Sequence, residues 1–189
     1  MADSSPPAGI VRAAGIVLAA GSGVRFGGPK APFLFDGERL VDRSVSLLRE
    51  SGLDPVVVVL GAWVGEVTGA DTVVNKDFTT GLSGSLAVGL NYLQSHYPEI
   101  STAIITLVDL PFLQSSTITH VAESDYELAQ AHYRGEPGHP VKIAARYWND
   151  LLTSVTGDSG AKSFLRNNNA KTIEIDDPGI VKDLDQLPG

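Results

Sequence analysis

Cysteine is absent from this 189-residue chain. Disulfides and thiolate metal sites are therefore excluded, and nothing points to an oxidising compartment. Long apolar runs are also missing. The longest, from Pro55 to Gly65, is far short of the ~20 residues that a membrane-spanning helix needs. Basic residues are scarce, with 14 Lys and Arg against 22 Asp and Glu, for a formal net charge of −8. A phosphate-backbone binder needs a basic face, so the balance argues against a nucleic-acid partner. Any anionic ligand has to be held locally, by a few cations, backbone N–H groups or a metal. The opening MADSSPPAG lacks a basic region followed by an apolar stretch, so it is not a secretory signal. Residues 1–12 are expected to form a disordered tail and 13–189 one domain, in a cytoplasmic protein.

What remains is a globular composition, 43% hydrophobic and 19% charged, with a pattern that alternates. Ala13 to Ala20 reads as a short buried strand. RLVDRSVSLLRESG follows as a helix, with Leu40, Val41, Val45 and Leu48 on one face and Gly52 as its stop. DPVVVVLG (54–61) and TVVN (72–75) read as strands. Leu82, Leu86, Leu90 and Leu93 mark a helix weakened by Gly84 and Gly89. TAIITLVD (102–109) is a strand ending on Asp109, Ser115 to Ala122 a helix, and YELAQAHY (126–133) a strand. HPVKIAARYWNDLL passes from strand to helix, GDSGAKSFLRN is a helix with Asp158 as N-cap, and AKTIEID is a last strand. Alternating strands and helices predict a three-layer α/β/α domain with a mostly parallel, Rossmann-like sheet. In such sheets ligands bind where the strands' carboxyl ends emerge, and both the loop at 19–30 and Asp109 lie at such ends.

That loop reads LAAGSGVRFGGPK, residues 18 to 30. A glycine-rich segment after a strand can turn successive N–H groups toward an anion. It is not a dinucleotide fingerprint, because counting from Gly21 and Gly23 the third glycine position falls on Phe26. It is not a P-loop either, because Lys30 is flanked by Pro29 and Ala31. Two readings stay open from the residues alone: a phosphate loop closed by Arg25 and Lys30, and an ordinary surface turn. Ser83 and Ser85, near a helix start, can donate to a ligand or cap the helix. His139 can meet a substrate or merely occupy a turn. His96, His120 and His132 show no metal-ligand spacing, and Trp63 and Trp148 are expected to pack.

The loop resembles that of the MobA-like nucleotidyltransferases, which transfer guanylyl or cytidylyl groups to the molybdenum cofactor and share a pattern of the form LAxGxxxRxGxxK. Leu18, Ala19, Gly21, Arg25, Gly27 and Lys30 match it. NKDFTTGLSGSLAVGL (75–90) resembles the family's base and ribose segment, LVDLPF (107–112) its metal-binding strand end, and VKDLDQLPG (181–189) its closing acidic motif. GHPVKI (138–143) and GDSGAKSFL (157–165) resemble the cytidylyltransferase branch, with Lys162 in place of an arginine and thus without the planar fork suited to phosphate. The resemblance implies transfer of CMP from CTP to the terminal phosphate of molybdopterin, with release of pyrophosphate. It places Leu18, Ala19, Ala20, Gly21, Ser22, Gly23, Arg25, Lys30, Asn75, Gly81, Ser83 and Ser85 at the nucleotide. His139, Asp158, Gly160 and Lys162 fall at the acceptor, and Asp109, Asp183 and Asp185 at Mg²⁺; Arg25, Lys30 and Asp109 are the implied catalytic set. A molybdoenzyme receiving the product is the implied partner. Two alternatives remain: a same-fold transferase using GTP or a sugar or polyol phosphate, and a non-catalytic nucleotide- or cofactor-binding maturation factor. Ala20 stands where guanylyl-transferring relatives usually carry glycine, which favours the smaller pyrimidine base.

Overall fold

The computed structural model describes residues 12–154 and 161–176. Its frame is a seven-stranded sheet in the order β5-β4-β1-β6-β8-β7-β9. Four strands lie parallel: β5 (Asp71–Val74), β4 (Val56–Leu60), β1 (Ala13–Ala19) and β6 (Thr102–Leu107). β4 is buried at every position, which explains its unbroken VVVVL run: a strand covered on both faces has no polar side to alternate with. β8 (Glu136–Ala144) runs antiparallel to both β6 and β7 (Leu128–Tyr133), and β9 (Lys171–Glu174) pairs parallel with β7 at the far edge. The reversal at β7–β8 is a two-residue hairpin through Arg134 and Gly135, both at positive φ (55° and 81°), as tight hairpins require.

Successive side chains of β1 feed two cores. Val17 joins Leu40, Val41, Val45 and Leu48 of α1 (Leu40–Glu50) and Ile118 and Val121 of α3 (Ser115–Ala122). Ile16 and Leu18 join Leu86, Leu90 and Leu93 of α2 (Leu82–His96), Trp148 and Leu151 of α4 (Trp148–Ser154), and Phe164 and Leu165 of α5 (Lys162–Asn167). The result is the expected three-layer α/β/α arrangement. Gly89 weakens α2 by propensity, roughly 1 kcal/mol relative to alanine, but packing requires it. A Cβ there would stand 3.1 Å from both Ile16 and Val59, so the helix rides directly on the sheet.

One local expectation is corrected, and one element goes beyond what was expected. α5 starts at Lys162 with Ala161 at its cap position, so Asp158, which lies outside the described residues, is not its N-cap. A small hairpin, β2 (Leu34–Phe35) with β3 (Glu38–Arg39), leads into α1 and was not foreseen. At the site end, main-chain bonds tie the strand ends together. The Val108 N–H donates to the Leu18 carbonyl at 3.2 Å and the Ala62 N–H to that of Ala20 at 3.0 Å. The chain segments leaving β1, β4 and β6 are thereby held side by side. No helix among the described residues is long and apolar enough to cross a membrane.

Candidate nucleotide site

A cavity of about 520 Å³ opens at the carboxyl ends of β1 and β6. Leu18, Ala20 and Leu107 line it from the sheet, residues 21–26 and Lys30 from the glycine-rich loop, and Phe78, Thr79, Gly81, Leu82 and Ser85 from the turn before α2 and its first residues; Val108 and Asp109 complete it. The loop keeps its shape by a device the sequence did not reveal. The Gly23 carbonyl accepts from the N–H groups of Phe26, Gly27 and Gly28 at 2.9, 2.9 and 3.1 Å. Gly23 has φ +60°, and a Cβ there would lie 1.9 Å from the Gly28 oxygen, so only glycine closes this knot. The three N–H groups of 26–28 are thus spent on the loop itself. Those of residues 21–25 donate no hydrogen bond among the described residues and are the ones available to an anion. A Cβ on Gly21 would meet no protein atom within 4 Å; a side chain there would take space in the cavity. Phe26 anchors the loop, buried and edge-on to Phe33 at 4.8 Å. Arg25 is exposed, lines the cavity and makes no ion pair among the described residues.

Lys30 and Asp109, 79 residues apart in sequence, meet here. Lys30 Nζ donates to Asp109 Oδ2 at 2.7 Å, with the side chains 14% and 21% exposed. The other carboxylate oxygen, Oδ1, is buried without a hydrogen-bond partner. A buried acceptor left unpaired costs about 1–3 kcal/mol. A carboxylate oxygen of this kind beside a cavity fits a hard divalent cation, which takes oxygen ligands. Asp183 and Asp185 lie outside the described residues. Among those described, no group of three or more His, Asp or Glu is placed to hold a metal. His139, on β8, feels the Asp109 carboxylate. Crowding by the surrounding protein pushes its imidazole down to about 4, although one edge of the residue stays open, and the Asp109 charge only partly offsets this. His139 is neutral at pH 7.

On the opposite wall, Gly81 (φ +101°) caps α2 and lines the cavity, as does Ser85. Asn75 is buried and does not line the cavity; its side chain donates to Ser85 Oγ at 3.1 Å and accepts from the Asp77 N–H at 3.0 Å. It therefore positions Ser85. Ser83 is buried with its hydroxyl unpartnered and lies off the cavity lining, and Ala19 is likewise buried behind it. Leu18, Ala20, Gly21, Ser22 and Gly23 all line it. The expected acceptor residues are not gathered: Lys162 is exposed on the first turn of α5, neither it nor His139 lines the cavity, and Asp158 and Gly160 lie outside the described residues. The sequence reading missed Phe78 and Thr79, which line the wall facing the loop from a short 3₁₀ turn, Phe78–Thr80. The available signal was a lone aromatic inside the polar stretch NKDFTTG.

Residues 15–173 match the family model of the MobA-like NTP transferase domain. The chain belongs to that family. A curated relative, nicotine blue oxidoreductase from Paenarthrobacter nicotinovorans, is 30% identical over 92% of each chain. Among solved structures, a Mycobacterium tuberculosis H37Rv protein, Rv0371c, superposes with a TM-score of 0.79 at 23% identity over 93% of each chain; that protein has also been crystallised with manganese. A nucleotidyl transferase from Methanothermobacter gives a TM-score of 0.77 at 20% identity, covering 93% of this chain and 92% of that one. These likenesses fix the fold. Membership in an NTP transferase family implies that the protein binds a nucleoside triphosphate.

Proposed function

We propose that the protein transfers CMP from CTP to the terminal phosphate of molybdopterin and releases pyrophosphate, in the cytoplasm, as a single-domain enzyme supplying a molybdoenzyme. The observation that carries the reading is the pairing of Lys30 with Asp109 at the cavity, with one carboxylate oxygen left over for a cation. The free N–H groups of residues 21–25, with Arg25 and Lys30, hold the triphosphate. Phe78 and Ala20 bound the space for the base, and Ser85, aimed by Asn75, meets the nucleoside. Asp109, together with Asp183 or Asp185, would hold Mg²⁺, which would supply positive charge to offset that of the phosphates. His139, neutral, and Lys162, on α5, are assigned to the acceptor phosphate, although neither lines the cavity itself. No covalent intermediate is needed. The chain's own contribution is in-line positioning and charge neutralisation.

The curated relative's name supports a second reading, an oxidoreductase acting on nicotine blue. One screen separates them. CTP, GTP, ATP and UTP are crossed with molybdopterin, sugar phosphates and polyol phosphates, and pyrophosphate release is measured; a parallel arm follows dye reduction by reduced nicotinamide. Pyrophosphate release with CTP and molybdopterin is the expected result. Release with another pair moves the assignment within the family. Tight nucleotide binding with no turnover in any well makes the protein a maturation factor, and dye reduction alone favours the second reading.

A further inference from the structure

Lys30 and Asp109 have been given separate tasks above, one at the phosphates and one at the metal, yet they are bonded to each other. The ammonium sits 2.7 Å from Oδ2, in a pocket that leaves both side chains mostly out of water. A divalent cation on Oδ1 would then share one carboxylate with a fixed positive charge a few ångströms away. In partly desolvated surroundings that repulsion is much larger than in bulk water. Lys30 also lines the cavity on the side of the glycine-rich loop, and its neighbour Phe26 faces the ammonium at 5.6 Å. A triphosphate in the loop offers Lys30 more negative charge than one carboxylate does.

Resting on the transferase reading, we infer that Lys30 is a latch on the metal ligand. While it holds Oδ2, Asp109 binds a divalent cation poorly; when a triphosphate draws the ammonium to its own oxygens, Asp109 is released to the cation. Lys30 therefore orders the loading of the site: the cation enters with the nucleotide or after it. Coupling of this kind requires two states with different contacts for each ligand, and the two partners available to Lys30 supply them. This role is distinct from charge neutralisation. It predicts that removing the positive charge improves metal binding, whereas a residue that only helps hold phosphate would leave metal binding to the bare protein unchanged.

The test uses Mn²⁺ alone on the full-length protein without nucleotide, with free ion counted from its electron paramagnetic resonance signal. Lys30→Met keeps the aliphatic stem and drops the charge; Lys30→Gln, which keeps a polar head, is the second variant, and both are checked for native circular dichroism. Each is expected to bind Mn²⁺ about tenfold more tightly than wild type, as for removal of a close like charge from a partly buried site. Adding Asp109→Asn to Lys30→Met returns affinity to the wild-type level. Arg25→Met, which removes an exposed cation from the same cavity, changes it by less than about threefold, because solvent screens that charge. Unchanged or weaker Mn²⁺ binding in both Lys30 variants overturns the latch, as does an equal gain in Arg25→Met. The underlying reading fails separately: if Asp109→Asn in an otherwise wild-type chain leaves Mn²⁺ binding in the presence of CTP intact, Asp109 is not the metal ligand.

Discussion

Among the described residues two lysines are drawn largely out of water, and they are held by opposite kinds of partner. Lys142, in the middle of β8, is 5% exposed, and its ammonium donates to the carbonyls of Ala122 at 2.7 Å and Ser124 at 2.6 Å. Those carbonyls close the end of α3, where the helix leaves acceptors without intrahelical donors. Burial pushes the Lys142 pKa down, and the Asp125 carboxylate works against that. Lys30 is paired to a side chain that still has an unused oxygen, at the lip of a cavity. Burial is common to both, so burial alone does not mark a lysine as functional. What separates them is whether the partner can be exchanged. Main-chain carbonyls at a helix end have nowhere to go. A carboxylate beside a ligand cavity can trade its ammonium for a cation.

The largest effect is expected where exchange is impossible. Lys142→Met keeps most of the volume and removes both hydrogen bonds, stranding two carbonyls beneath the sheet. At about 1–3 kcal/mol for each buried group left unsatisfied, the loss of stability should be about 3 kcal/mol. Urea unfolding with an unchanged m-value would measure it, and nucleotide affinity of the folded fraction should stay as in wild type. A loss below about 1 kcal/mol would mean that water reaches those carbonyls and that Lys142 is no clamp.

Asp109→Ala should show the reverse split. Turnover falls about 10²-fold or more, roughly 2.7 kcal/mol at the transition state. Unfolding free energy changes by less than about 1 kcal/mol, because the carboxylate's lost ion pair is offset by the removal of an unpartnered buried oxygen. Normal turnover by the folded variant would take Asp109 out of the chemistry.

The contrast also shows what could be read from the sequence. The loop, Lys30 and Asp109 stood out because each follows an apolar strand that ends abruptly, and a parallel sheet brings such ends together. That they bond to each other was not legible: the contact spans 79 residues and depends on β1 and β6 being neighbours. Lys142 gave no signal. In PVKIA it reads as the solvent-facing member of a strand, and only the packing of α3 over β8 turns it inward. The sheet was foreseen as mostly parallel, but the reversed strand was not singled out, because Arg134–Gly135 is a weak hairpin signal beside Asn-Gly or Asp-Gly. The misplaced cap of α5 has a plain cause. Asp158 is an excellent cap residue by type, but the helix starts four positions later, and residue type does not fix where the first turn closes.

A subtler effect should connect the two halves of the comparison through β8, which carries both Lys142 and, three residues earlier, His139. With its folded pKa near 4 against about 6.5 unfolded, His139 binds fewer protons in the native state. Stability therefore falls as pH drops from about 6.5 toward 4, and below that, where both states are protonated, the loss levels off and stays in full. His139→Asn should flatten that acid limb in chemical denaturation while leaving stability at pH 8 within about 1 kcal/mol of wild type. An acid limb as steep as the wild type's would place the responsible group elsewhere.

The smallest effect is expected at a wall that holds no charge. Ala20 lines the cavity, but its methyl also lies against Gly61, just after β4: a Cβ built on Gly61 would come within 2.7 Å of it. Part of the methyl's bulk is therefore spent on the fold, and only the remainder narrows the space for a base. Discrimination by one methyl in an apolar pocket is limited to about 1–3 kcal/mol, and a shared methyl belongs at the low end. CTP is expected to exceed GTP by at least about tenfold in kcat/KM, and Ala20→Gly to narrow the gap severalfold without reversing it, since Phe78 and Ser85 line the same cavity. Unlike Lys30→Met, it should leave Mn²⁺ affinity untouched, because no ion pair is broken. Competition between the two nucleotides at equal concentration decides the matter. Equal use, or a preference for GTP in the wild type, would overturn the cytidylyl assignment and leave the loop, the latch and the transferase fold as they stand.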